Sequence, residues 1–320
     1  MSFVSENKTF YTIAAAAVLA VGIGAALGGS AKGRKKPAKE EETWESHVDE
    51  KHGDLEEIYP GVLYRLEAPG CEMGPPLRNM TIYRVPSSEK DRPHRLVIIS
   101  AIAVREDTLQ EILALGTPTV MVVPNHMHRC CAGVWKRRFP NLTVVCVGAK
   151  HPADSRKKIE DAVPVDMTTE ELAAQPEWKD YIAVKRIEGW VHFEEIIEVK
   201  LDAAKNKKAM IVCDLLFTMI FPDHPGRIER AILWFFDSCV EKPASPSEMM
   251  IPKVSRVARI FGIRDWNKAE AWYRNYALED GKNIYAILVA HGPPVVELDA
   301  SKGCTEALVG VADQLVKPRW

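Results

Sequence analysis

The chain has 320 residues, 47% of them hydrophobic, enough for one large domain or two modest ones with a sizeable core. Forty-two basic side chains against 44 acidic ones leave a formal charge of −2, which gives no electrostatic basis for nucleic-acid binding. Seven cysteines without regular spacing argue against a secreted disulfide framework, and no C-x-x-C pair marks a structural zinc knuckle.

The first element is an uncharged run over residues 9–31, FYTIAAAAVLAVGIGAALGG at its centre, long enough to cross a bilayer as one helix of ~20 residues. Lys32, Arg34, Lys35, Lys36 and Lys39 crowd its C-terminal flank, whereas Lys8 on the other side is opposed by Glu6. The positive-inside rule then predicts a single-pass anchor over residues 1–31, with the globular part on the cytosolic or matrix-like side. Free thiols fit that reducing side. A cleaved signal peptide would want a more basic start and a shorter apolar run. Residues 32–54 pass from a basic block to KEEETWESHVDEKHGD, with no apolar face, and read as a solvated linker in which His47 and His52 are exposed bystanders.

The domain proper is expected over residues 55–320. Strand patterns fall at 62–66, 79–85 and 96–100, followed by a helical pattern at 105–115 that Gly116 stops. Strands at 120–123 and 143–148 come next, then a helix whose start, Thr168-Thr169-Glu170-Glu171, has capping-box spacing. Further strands are read at 182–187, 193–201 and 210–214, a helical stretch at 227–278 broken by the Pro-rich 242–252, a last strand at 284–289 and a final helix at 304–315. Strands in two groups with helices between and after them give a layered α/β arrangement. The aromatic positions Trp266, Trp272, Tyr273 and Tyr276 have the helical spacing of core packing, and 232–236 (ILWFF) reads as a buried helix face that could also meet a protein partner. Asp223 and His224, between two prolines, read as local turn residues.

One stretch stands apart, MVVPNHMHRCCAG at 121–133. Its strand is broken by Pro124 and Asn125, and the loop that follows presents His126, His128, Cys130 and Cys131 before a helical pattern opens at Gly133. Strand ends leading into helix N-termini are where α/β folds place ligands. In an extended loop, alternate residues share a face, so His126, His128 and Cys130 would converge.

This loop resembles the H-x-H-x-D-H-x-G metal loop of the metallo-β-lactamase-like hydrolases, with Cys130 in place of the aspartate and Cys131 in place of the third histidine. Val212-Cys213-Asp214-Leu215-Leu216-Phe217 resembles the strand ending in that family's metal-bridging aspartate, and Ala290-His291-Gly292 the late strand with its last histidine ligand. Gly189-Trp190-Val191 sits where the family has Gly-His-Thr, so Trp190 replaces another ligand; His192 could substitute only with a shift in register. A divergent branch of unknown function is similar over most of the chain. The resemblance implies an αββα sandwich with metal ligands His126, His128, Asp214 and His291, and with Cys130 or Cys131 able to add a thiolate to one zinc, if a metal is held at all. Losses in both half-sites favour a scaffold with an incomplete metal site, lacking full hydrolase activity. The alternatives are a mononuclear zinc hydrolase acting on a small molecule of unknown identity and, more distantly, a thiol redox protein using Cys130 and Cys131.

Overall fold

The computed structural model describes residues 43–48, 50–69, 77–86, 93–148, 153–191, 194–220, 233, 237, 239–256 and 258–316. The expected anchor, most of the linker, His192, Asp223, His224 and all of 232–236 except residue 233 lie outside them. Among the described residues no helix is long and apolar enough to cross a membrane.

Alternation of apolar side chains builds two sheets. The first runs in the order β1 (Glu56–Tyr59), β2 (Leu63–Ala68), β3 (Arg78–Arg84), β4 (Arg95–Ile99), β5 (Thr117–Val123), β6 (Thr143–Cys146) and β7 (Met167–Thr168). β1 to β4 pair antiparallel and β4 to β7 parallel. The second contains β8 (Ile182–Lys185), β9 (Ile196–Asp202), β10 (Lys207–Ile211), β13 (Ile284–Leu288) and β14 (Val295–Val296), with β10 and β13 as its parallel central pair. A two-stranded ribbon, β11 (Met219–Ile220) with β12 (Cys239–Val240), completes the set.

Strand periodicity sends successive side chains to opposite faces, so each sheet serves two cores. On β4, Val97 and Ile99 enter the core shared with the second sheet, while Leu96 and Ile98 face outward. On β10, Ala209 and Ile211 face the first sheet, and Met210 and Val212 turn away from it. The outward face of the first sheet is covered by the helices Glu106–Leu115 and Ala132–Arg138, through Leu109, Ile112 and Trp135. The outward face of the second is covered by Trp266–Glu279 and Thr305–Gln314, through Tyr273, Tyr276, Leu308 and Val311. Three apolar layers between four layers of structure define an αββα sandwich.

Most expected strands and helices are present, and Thr168 and Glu171 exchange both bonds of a capping box. The linker reading fails at its C-terminal end. Trp44 is buried, packs edge-on against Trp135 with ring centroids 5.3 Å apart, and donates its indole N–H to the Val104 carbonyl at 3.0 Å. His52 is also buried and accepts the Arg105 backbone N–H at 2.9 Å. One tryptophan supplies the apolar anchor that the charged surroundings concealed, so the compact unit starts at Thr43.

The two sheets meet at one edge. Asn79 on β3 donates its backbone N–H to Ala290 at 2.7 Å, and its amide to Val289 at 2.9 Å and Gly292 at 2.6 Å. Gly292 has φ +107°, and a Cβ there would lie 2.4 Å from the backbone carbon of Thr218. Gly292→Ala is therefore expected to destabilise the fold by on the order of 2–3 kcal/mol. An unfolding midpoint in urea equal to the parent's would refute that.

Candidate metal centre

The residues just past the C-terminal ends of four strands supply the site: Ser100 after β4, Pro124 and Asn125 after β5, Cys213 and Asp214 after β10, and Ala290 and His291 after β13. β4 and β5 are parallel neighbours, as are β10 and β13, so each pair opens at the same end.

After β5 the chain coils at once. Asn125 caps a 3-10 turn, His126–Arg129, its Oδ1 accepting the N–H groups of Met127 at 2.8 Å and His128 at 3.3 Å. In a turn of three residues, positions two apart do not share a face. The expectation that His126, His128 and Cys130 alternate on an extended loop is therefore overturned. His128 points inward and is buried, whereas His126 is half-buried and pairs through Nδ1 with Ser155 Oγ at 3.0 Å, on the helix Ala153–Glu160.

His128, Asp214 and His291 meet. Nε2 of His128 lies 3.4 Å from Asp214 Oδ1, and Nε2 of His291 lies 3.1 Å from the same oxygen. The imidazoles sit edge to face, centroids 5.3 Å apart, and Phe217 stacks on His291. Each histidine has its other nitrogen engaged. His291 Nδ1 is 2.7 Å from the Leu77 carbonyl, which can only accept, so the proton is on Nδ1 and, in the neutral ring, Nε2 carries the lone pair. His128 Nδ1 is 2.7 Å from Ser100 Oγ. Ser100 holds φ +59°, a strained conformation for a residue with a Cβ, at the point where it orients that imidazole.

Asp214 Oδ2 is held from behind by the Asn125 amide at 2.7 Å. The same amide nitrogen lies 3.5 Å from Cys213 Sγ and 3.3 Å from Glu194 Oε2. Ligand-capable atoms of His128, Cys213 and Asp214 fall within 4.8 Å of one another. The amide hydrogens, however, occupy the side that Cys213 and Oδ2 share, and their positive ends would repel a cation. The cation-compatible face is the other one, bounded by two Nε2 atoms and Oδ1.

Glu194 was not singled out by the sequence. It is buried, and its carboxylate receives the backbone N–H groups of Cys213 at 2.6 Å, Asp214 at 2.7 Å and Leu215 at 3.1 Å. Burial and the neighbouring Asp214 charge push its pKa up to about 8 despite those bonds. Burial works against ionised Asp214 too, but His128 and the hydrogen bonds from both imidazoles outweigh it and hold that carboxyl well below its usual range. His291 moves upward: burial opposes its charge, and Asp214 more than offsets that.

The two cysteines that could add a thiolate, and the tryptophan in a ligand's place, go elsewhere. Cys131 is buried, and its sulfur accepts from Arg78 Nη2 at 3.4 Å; Cys130 Sγ lies 3.8 Å from the Met127 carbonyl. Trp190 bridges to Ile263 and packs in the outer core of the second sheet with Met210 and Leu215. Thiol labelling at pH ~8 should therefore reach half-buried Cys130 before buried Cys131, Cys146, Cys213 and Cys304. Burial additionally holds the last three above the ordinary thiol pKa, Cys304 at about 12. Native labelling of Cys213 or Cys304 at the rate of Cys130 would contradict this order.

The layering is the αββα sandwich that the sequence resemblance implies, and histidine and aspartate side chains gather at one end of both sheets. Solved structures similar to it include DIM-1 metallo-β-lactamase, 10% identical, covering 82% of this chain and 99% of that one at a TM-score of 0.45. FIM-1 from Pseudomonas aeruginosa in its mono-zinc form is 12% identical, with coverages of 82% and 96% and a TM-score of 0.42. The metallo-β-lactamase from Hirschia baltica is 10% identical, with coverages of 82% and 98% and a TM-score of 0.42. No protein-family model matches the chain, and no curated protein matches it in sequence.

Proposed function

We propose that this metallo-β-lactamase-fold protein holds one metal ion, of the zinc type, on His128, Asp214 and His291, and lacks the two-metal machinery of a full hydrolase. The observation that carries the reading is the orientation of the two imidazoles. Both have Nδ1 occupied by Ser100 Oγ or the Leu77 carbonyl, and both aim Nε2 at one carboxylate oxygen whose partner oxygen is already tied to Asn125. Ligating histidines are oriented in this way by the partners of their second nitrogen. Two nitrogens and one oxygen suit zinc and leave a fourth position for water or substrate. When bound, such an ion supplies Lewis acidity and lowers the pKa of its water toward ~7. The chain's own contribution is to fix the His291 tautomer, to orient both rings and to keep Oδ1 forward.

A second ion would lack partners here: His126 pairs with Ser155, Cys131 with Arg78, and Trp190, which stands in a ligand's place, packs in the outer core. Metal analysis of the full-length protein, purified in detergent after expression with zinc, tests the proposal. A single equivalent of zinc, lost in His128→Ala, is the expected result; no zinc, or two equivalents, would overturn it. Mononuclear hydrolysis of a small molecule is a second reading, favoured by the 12% exposure of the His291 side chain, which leaves one approach to the cluster. The uncharged run at 9–31 and its basic flank support anchoring to a membrane with the domain on the reducing side. Protease protection of intact membranes tests that, and full-length chain in the soluble fraction would refute it.

A further inference from the structure

Two ligand-bearing turns, one from each sheet, have to be set against each other before His128 and Asp214 can share an ion. Asn125 and Glu194 connect them. Asn125 caps the 126–129 turn with Oδ1, fixing the backbone of His128, and reaches across with Nδ2 to Asp214 Oδ2 and Glu194 Oε2. Glu194, just ahead of β9, receives three consecutive backbone N–H groups at 213–215 and so fixes the turn that presents Asp214. Both residues are at most 5% exposed, and every bond here is made within the protein.

We infer that Asn125 and Glu194 are positioning residues, a cross-sheet clamp that presets His128 and Asp214 for the ion. The inference rests on the one-metal reading for its effect on affinity, and on the hydrogen bonds alone for the mechanical link. The chemistry requires these two side chains. A carboxylate can receive three backbone donors and an amide hydrogen at once, whereas Gln would turn an N–H₂ group against other donors. Only an amide can cap the turn with one atom and donate across the gap with the other.

Asn125→Ser keeps a capping hydroxyl but cannot reach Asp214 or Glu194. Glu194→Gln keeps size and loses acceptor capacity. The test has two arms on the full-length protein. In the first, chelator-treated parent, both single variants and the double variant are unfolded in urea, with amide exchange followed at 127–128 and 213–215. A clamp predicts non-additivity, the double variant losing no more than the worse single one. It also predicts that Asn125→Ser weakens protection at 213–215, on the other sheet. In the second arm, Co²⁺ is titrated into each protein and its visible absorption recorded. Each single variant should bind it about 10–100-fold more weakly, with an altered spectrum; a purely structural role would lower the unfolding midpoint and leave the spectrum of the folded fraction unchanged. Additive losses with parental protection and spectra would overturn the clamp while the metal reading stood. Coupling without Co²⁺ uptake by the parent would keep the mechanical link and remove its proposed purpose. Should a single variant fail to fold, Glu194→Asp, which retains the charge and shortens the reach, supplies the same comparison.

Discussion

Asp214→Asn is expected to reduce metal affinity by more than 100-fold and to lower the stability of the metal-free protein. The first half follows from charge and geometry, because among the described residues Asp214 is the only anion on the cation-compatible face and Oδ1 is the atom both imidazoles approach. Losing a direct ligand should exceed the ~10–100-fold typical of an outer-shell change. The second half follows from the site's energetics. His128 and the hydrogen bonds from both imidazoles hold the Asp214 carboxyl well below its usual range, so the folded chain favours the charged form and a neutral amide forfeits that preference. Removing the charge also removes one of the causes that raise Glu194, which offsets part of the loss. Thermal unfolding of chelator-treated parent and variant, set beside zinc titrations of both, checks the two halves. A variant as stable as the parent would show that the Asp214 charge does not support the fold.

The parts of the site legible in the sequence are those that local pattern fixes. Val120 to Val123 announces a strand and Pro124 its end. The short segments around Asp214 and His291 share the same signal, an apolar strand run into a polar residue. Asn125 was visible as a strand breaker, and Asn is also a favoured helix cap. Reading it as a cap would have coiled the loop and separated His126 from His128. Glu194 was hidden for another reason. In FEEIIEVKL three acids share a strand-like segment, and nothing local says which one another strand will surround with backbone donors. Glu195 instead pairs with Arg186 at 2.8 Å, and Glu198 with Lys208 at 2.8 Å. That choice depends on β9 lying beside β10, a long-range pairing. Trp44 misled in the same way, since one aromatic among charges has no periodicity, yet it finds Trp135 ninety-one positions later. The strands of two residues, β7, β11, β12 and β14, leave no room for a period to show.

The stabilities of the metal-free and metal-bound proteins should diverge as pH rises. In chelator-treated protein, Asp214 has a folded pKa well below 3.8, so its contribution is present above that value and is lost only as pH falls through the lower folded one. His291 has a folded pKa above 6.5; its contribution is full below 6.5 and is lost as pH rises through the raised value. Glu194, raised from 4.5 to about 8, binds more protons folded than unfolded over that span, so it too makes stability fall with rising pH. Stability without metal should therefore decline from about pH 5.5 to about pH 8.5. Metal binding runs the other way, because a ligating imidazole must be neutral and the ion must displace the His291 proton. While that proton is present, each pH unit should raise apparent metal affinity about tenfold, or ~1.4 kcal/mol. The gap between melting temperatures with saturating zinc and with chelator should thus widen as pH rises over this range. His291→Gln should abolish the widening by removing both the ligand and its proton, and Glu194→Gln should flatten the remaining decline of the chelated protein. Parallel melting curves across the range would mean that no proton is exchanged for metal at His291, and would remove it from the ligand set.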